Sequence, residues 1–206
     1  MVKSNTLASL MLAGILGLAG CSGTQWTTNY ADVIDPAVSK QWRVVEVDVS
    51  VPRSLTVSEA NSFAPNVDIV WRELPYGDRY DQVDAIITTA AKRGAANLHG
   101  ARNVKLIITM QQFHALTEKT RSVLQNSGVH DITFTAQVFD AKTNTPLSPP
   151  DRIKADLIAF VGDQAVAAEK QGQTQKVRIT AHVAAVISGW LGTGPDVRGD
   201  FKRNGR

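Results

Sequence analysis

Val44-Val45-Glu46-Val47-Asp48-Val49-Ser50-Val51, residues 44–51, alternates valine with polar side chains and is closed by Pro52. A period of two marks a strand with one buried face, so the stretch predicts Val45, Val47, Val49 and Val51 inward and Val44, Glu46, Asp48 and Ser50 outward. Asp68 to Arg72 has the composition of a short second strand. Then the period changes. Gly77-Asp78 offers a helix start with Asp78 as N-cap, and Asp81 and Asp84 stand near the positive end of the helix dipole. Val83, Ile86, Ile87, Ala90, Ala91 and Leu98 follow at spacings of three and four, so Arg79 to Asn97 predicts an amphipathic helix.

Alternation resumes in Val104, Leu106, Ile108 and Met110, extending to His114, and again in Ile132, Phe134, Ala136 and Val138. Arg152 to Phe160 predicts a last strand with Ile153, Ala155, Leu157 and Ala159 inward and Arg152, Lys154 and Asp156 outward. Gly162-Asp163 opens a final helical region, disturbed at Gly172 and stopped by Gly192-Thr193-Gly194-Pro195. A strand, a helix and a strand imply a parallel crossover, and the strands in series imply an antiparallel meander. The expected fold is therefore a single α+β domain over 42–192: a mixed sheet of four to five strands with two helices on one face. Glu46, Asp48, Thr133, Thr135 and Gln137 should line the open face.

The 206 residues are 43% hydrophobic and 20% charged, with a net charge of +3, which excludes a disordered tail, a collagen and a polytopic membrane protein. The charges are interspersed, so no nucleic-acid footprint is expected. Only one cysteine is present, which excludes an intramolecular disulfide and a zinc site built on paired thiolates.

That cysteine sits at the end of the most specific pattern in the chain. Lys3 precedes an apolar run from Leu7 to Ala19, too short to span a bilayer comfortably, and small residues follow. Leu18-Ala19-Gly20-Cys21 resembles the bacterial lipobox. The resemblance implies a signal peptide over 1–20, cleavage between Gly20 and Cys21, and acylation of Cys21, which becomes the first mature residue. Two or more acyl chains hold a protein stably on a membrane. Ser22 stands where the corresponding lipoproteins of the inner membrane carry Asp, which favours the outer membrane. Residues 21–41 predict a lipidated tether, in which Trp26 and Tyr30 either sit at the headgroups or dock onto the domain. Residues 193–206 predict a polar basic tail; from Arg198 to Arg206, Arg198, Lys202, Arg203 and Arg206 stand against Asp200 alone.

No catalytic constellation is legible. Gly-x-Ser-x-Gly, Ser-x-x-Lys and a Cys-His pair are absent, and Asp78, Asp81 and Asp84 are accounted for by helix capping. His114 with Glu118, and His130 with Asp131, carry donors of the right type for a metal, but without HExxH or clustered cysteines no metal site is expected. The connection 115–129 is longer than a hairpin needs. Its polar cluster, Thr117, Glu118, Lys119 and Arg121, is the expected partner-binding segment.

Asp32-Val33-Ile34-Asp35-Pro36, Ile69-Val70-Trp71-Arg72-Glu73, Gly77-Asp78-Arg79-Tyr80, Phe113-His114-Ala115-Leu116-Thr117-Glu118-Lys119, Phe134-Thr135-Ala136-Gln137-Val138 and Gly189-Trp190-Leu191-Gly192 together resemble an alphaproteobacterial lipoprotein family of unknown function. In strand order the chain is also similar, more weakly, to auxiliary lipoproteins of envelope transport systems. The expectation is a periplasm-facing, membrane-anchored, non-enzymatic lipoprotein that binds or organises an envelope partner in transport or outer-membrane assembly. Its cofactor would be none beyond the covalent lipid on Cys21. The alternative is a carrier of lipid or another small ligand, with an apolar cavity between sheet and helices.

Overall fold

The computed structural model describes residues 25–126 and 128–204. They form one α+β domain around an open mixed sheet of eight strands, with five helices. The path through the sheet is β2 (Trp42–Ser50), β4 (Arg102–His114), β5 (Gly128–Asp140), β6 (Asp151–Ala155), β1 (Gln25–Asn29) and β8 (Lys202–Asn204). Two short strands lie off that path: β3 (Ile69–Val70) pairs with the end of β4, and β7 (Leu157–Ala159) with the start of β5. Strands β2 and β3 run parallel to β4, and the other pairings are antiparallel. The crossover and the meander thus stand as expected, while four to five strands understates the sheet.

The helix of the crossover, α2 (Arg79–Gly94), starts where the sequence says: the Asp78 side chain accepts the Asp81 backbone N–H. The C-terminal helical region is split into α4 (Gly162–Lys170) and α5 (Gln175–Trp190), with Gly172 between them at a φ of 74°. Val83, Ile86, Ile87 and Ala90 of α2 and Ile179, Val183, Val186 and Ile187 of α5 share one core with Val104, Leu106, Ile108 and Met110 of β4 and Ile132, Phe134, Ala136 and Val138 of β5. Helices α2 and α5 touch where Gly94 has no side chain: a Cβ there would stand 2.6 Å from the Ala184 carbonyl oxygen.

Two bulges correct the alternation. In β2 the register slips between Val44 and Glu46, leaving Val45 52% exposed, while Val44 packs against the core with Val47. A bulge places two residues opposite one and so exchanges the faces on either side of it. In β4 the slip between Met110 and Gln112 does the same, and Met110 and Phe113 both reach the core.

Three further expectations change. The predicted strand 152–160 is broken at Asp156, which is wholly buried rather than outward. On the expected open face Thr133 is buried, whereas Glu46 and Asp48 are exposed. Much of the expected tether and tail is built into the fold. Strand β1 pairs with β6 on one side and β8 on the other, and α1 (Pro36–Ser39) follows, with Pro at its first position and Asp35 as N-cap. Tyr30 is 2% exposed and donates its hydroxyl to Asp196 at 2.8 Å; it docks on the domain. Burial, and then the Asp196 carboxylate, push that phenol up to about 12.

Candidate functional site

Strand β1 runs antiparallel to β6 and passes its end, so Gln25 and Trp26 lie near the start of β5. The end of β4, the loop before β3 and the connection from β4 to β5 converge on the same place. Between them opens a cleft of about 270 Å³, lined by Trp26, Pro65, Val70, Leu116, Leu124 and Val129, with His114, Asp131 and Arg203 among its polar residues. Its wall is mainly apolar. Ala64 on the rim holds a φ of 36°, a left-handed conformation costly for a residue with a side chain. This cleft lies at one end of the sheet.

The connection contains a helical turn, α3 (Glu118–Val123), capped by Thr117. All four expected partner-binding residues are brought together here, and most are engaged within the fold. Thr117, 2% exposed, accepts the Thr120 N–H at 3.1 Å and donates to the Ser62 carbonyl at 3.1 Å. Glu118 pairs with Arg72 at 2.7 Å, and the guanidinium holds its carboxyl below the usual range. Arg121 pairs with Glu169. Lys119 reaches outward, its ammonium 5.2 Å from the centre of the Phe63 ring. Two large apolar side chains stand exposed beside it, Phe63 at 46% and Val123 at 56%.

Below the cleft lies a buried polar group that periodicity hid. The Asp156 carboxylate accepts the backbone N–H of Thr27 at 2.8 Å and of Ile132 at 2.9 Å, and pairs with Lys154 at 3.1 Å. Burial, reinforced by the charge of Asp131, pushes Asp156 up to about 6. Asp131 in turn accepts from the Trp26 indole and the Gln112 amide, each at 3.2 Å, and its other oxygen has no partner among the described residues. His130 is fully buried with neither ring nitrogen bonded among the described residues, and burial lowers it to about 3. His182, 3.3 Å from the Thr28 hydroxyl, is lowered by burial to about 4. These imidazoles are neutral at ordinary pH, and His130 has no exposed surface.

The other candidates are placed as follows. His114 bonds the Val67 carbonyl, Glu118 faces Arg72 and His130 lies in the core, so these three do not converge. Among the described residues no group of three His, Cys, Asp or Glu side chains is arranged to hold a metal ion. Asp78 and Asp81 bind Arg53, and Asp84 accepts from Thr88. Gly20 and Cys21 lie outside the described residues. Sequence reasoning missed Arg79. It is buried and fork-bonded to Glu59 at 2.6 and 2.9 Å while donating to the Leu74 and Pro75 carbonyls. An arginine in a helix's first turn carries no signal of burial, because its partner comes from a loop twenty residues upstream.

The chain is similar to two solved structures. A candidate lipoprotein from Caulobacter crescentus CB15 is 18% identical, with a TM-score of 0.34, over 53% of this chain and 83% of its own. A Xanthomonas campestris protein of the DUF330 family is 12% identical, with a TM-score of 0.37, over 82% of this chain and 98% of its own. Likenesses of this size carry nothing about activity. No curated protein matches the chain. Residues 42–206 match a family of unknown function, DUF6778, and the chain belongs to that family.

Proposed function

We propose that this protein is a non-enzymatic lipoprotein of the bacterial envelope, anchored through acylated Cys21, facing the periplasm and binding or organising an envelope partner. The observation that carries the reading is Leu18-Ala19-Gly20-Cys21 standing only four residues before the start of β1 at Gln25. A lipidated Cys21 would leave almost no slack, so the whole domain would hang close beneath the anchor. Among the described residues no helix is long and apolar enough to cross a membrane. A non-catalytic role is supported by the use of the ionisable groups: Asp78 caps α2, Glu59 and Glu118 hold arginines, and Asp156 ties strands together. Ser22 favours outer-membrane over inner-membrane delivery.

Intact mass of the mature protein after growth with labelled palmitate, compared with Cys21→Ala and followed through membrane fractionation, tests the anchor. Cleaved, acylated wild type in the outer-membrane fraction, with the variant unacylated, is the expected result. A soluble or unacylated wild type overturns the reading.

A further inference from the structure

The Trp26 cleft, the exposed pair Phe63 and Val123, and the amino end of β1 occupy one end of the molecule. Four residues of chain extend at most about 14 Å, so an acylated Cys21 keeps the bilayer within that distance of Gln25. The loop bearing Phe63 is tied to α3 by Thr117 to the Ser62 carbonyl and by the Lys119 N–H to Asn61 at 2.8 Å, so the exposed apolar side chains are held, not trailing. Strand β8 puts Lys202 and Arg203 opposite Thr27 and Trp26, and Lys119 stands over Phe63. Apolar side chains flanked by cations, next to the lipid attachment point, match the interfacial zone of an anionic membrane.

We propose that this end is a bilayer-contact face in which the Trp26 cleft takes one acyl chain of a membrane phospholipid. Phe63 and Val123 enter the boundary between headgroups and chains, while Lys119 and Lys202 stand at headgroup level. The cleft, at about 270 Å³, falls short of the roughly 300–1,000 Å³ of sites that enclose a drug-sized ligand, which suits part of one hydrocarbon chain and not a whole lipid. Trp26 is suited to its rim, since its ring is apolar and its N–H is already bonded to Asp131. The orientation rests on the anchor proposed above; the contact itself is testable without it.

The test uses an unacylated chain of residues 22–206, which keeps every described residue, and vesicles of phosphatidylethanolamine and phosphatidylglycerol containing phosphatidylcholine with a diazirine at the end of one acyl chain. Photolysis should attach the phospholipid to peptides bearing Trp26, Leu116, Leu124 or Val129. Val129→Phe, which fills the cleft, should reduce those adducts at least fivefold while vesicle co-sedimentation persists. Phe63→Asp with Val123→Asp, at exposed sites that leave the core untouched, should lower co-sedimentation at least fivefold with an unchanged melting temperature. Adducts confined to residues outside the cleft, or equal co-sedimentation of wild type and the double variant, overturn the proposal. None of these outcomes depends on whether Cys21 is acylated in the cell, so a failed lipid contact and a failed anchor are told apart.

Discussion

Asp156 and Thr27, separated by 129 positions, are joined by a 2.8 Å hydrogen bond from the Thr27 backbone N–H to the buried carboxylate. The other carboxylate oxygen takes the Ile132 N–H, and the Thr28 hydroxyl donates to the Asp156 carbonyl at 2.8 Å. One side chain at the break between β6 and β7 therefore fastens β1, and through it β8, to the centre of the sheet.

Asp156→Ala leaves two strand N–H groups without their carboxylate, each unmet buried group costing about 1–3 kcal/mol. The expected loss is about 3 kcal/mol in denaturant unfolding. Hydrogen exchange should accelerate first at residues 25–29 and 202–204, with α2 and β4 protected until global unfolding. Uniform acceleration across the sheet would show that Asp156 does not hold β1 in particular.

The same group shapes the pH dependence. Its folded pKa, about 6, lies above the ordinary 3.8, so its contribution is fully present below that ordinary value and is lost as pH rises through about 6. His130 and His182 act in the opposite sense: depressed from 6.5 to about 3 and about 4, they lose stability as pH falls below 6.5. Between about pH 4 and 6 the unfolded chain binds two protons at these histidines against one at folded Asp156. Stability from the three groups should therefore rise with pH by about 1.4 kcal/mol per unit. Asp156→Asn removes the compensating proton and should roughly double that slope, measured by urea unfolding at several pH values. An unchanged slope would mean that the carboxyl titrates normally in the fold.

Gly94 lies where α2 meets α5, and the Cβ of an alanine there would meet the Ala184 carbonyl at 2.6 Å and the Ile187 side chain at 2.9 Å. Backbone cannot swing aside. Gly94→Ala should cost about 1–3 kcal/mol despite the better helix propensity of alanine, whereas Gly172→Asn, in open space at positive φ, should cost little. Thermal melting of the two variants decides it.

Arg79 is buried against the half-exposed carboxylate of Glu59. Glu59→Gln keeps a neutral acceptor and should cost about 1 kcal/mol, since solvent already screens that carboxylate. Arg79→Met also takes the donor from the Leu74 carbonyl, while the Pro75 carbonyl keeps the Gln82 amide, and should cost about 2–3 kcal/mol. Equal losses would mean that the carbonyl contacts contribute nothing.

What the sequence determined by itself is what local periodicity records. The valines of β2, the apolar stripe of α2, the alternation in β4 and β5 and the cap at Asp78 follow from which side chains leave water, a preference written within each segment. The resemblance of Leu18-Ala19-Gly20-Cys21 to a lipobox is likewise a local pattern. Tertiary structure alone decided the rest. Gln25-Trp26-Thr27-Thr28-Asn29 and Lys202-Arg203-Asn204 carry no apolar alternation, yet both are strands, because they pair through backbone groups supplied by distant segments. The bulges at Val45 and Gln111 and the burial of Asp156 and Arg79 depend on partners on other elements. The cleft exists only because four stretches remote in sequence, around Trp26, Ala64 to Val70, His114 to Asp131 and Arg203, meet at the same place. Periodicity reports what each segment buries; it does not report what meets it there.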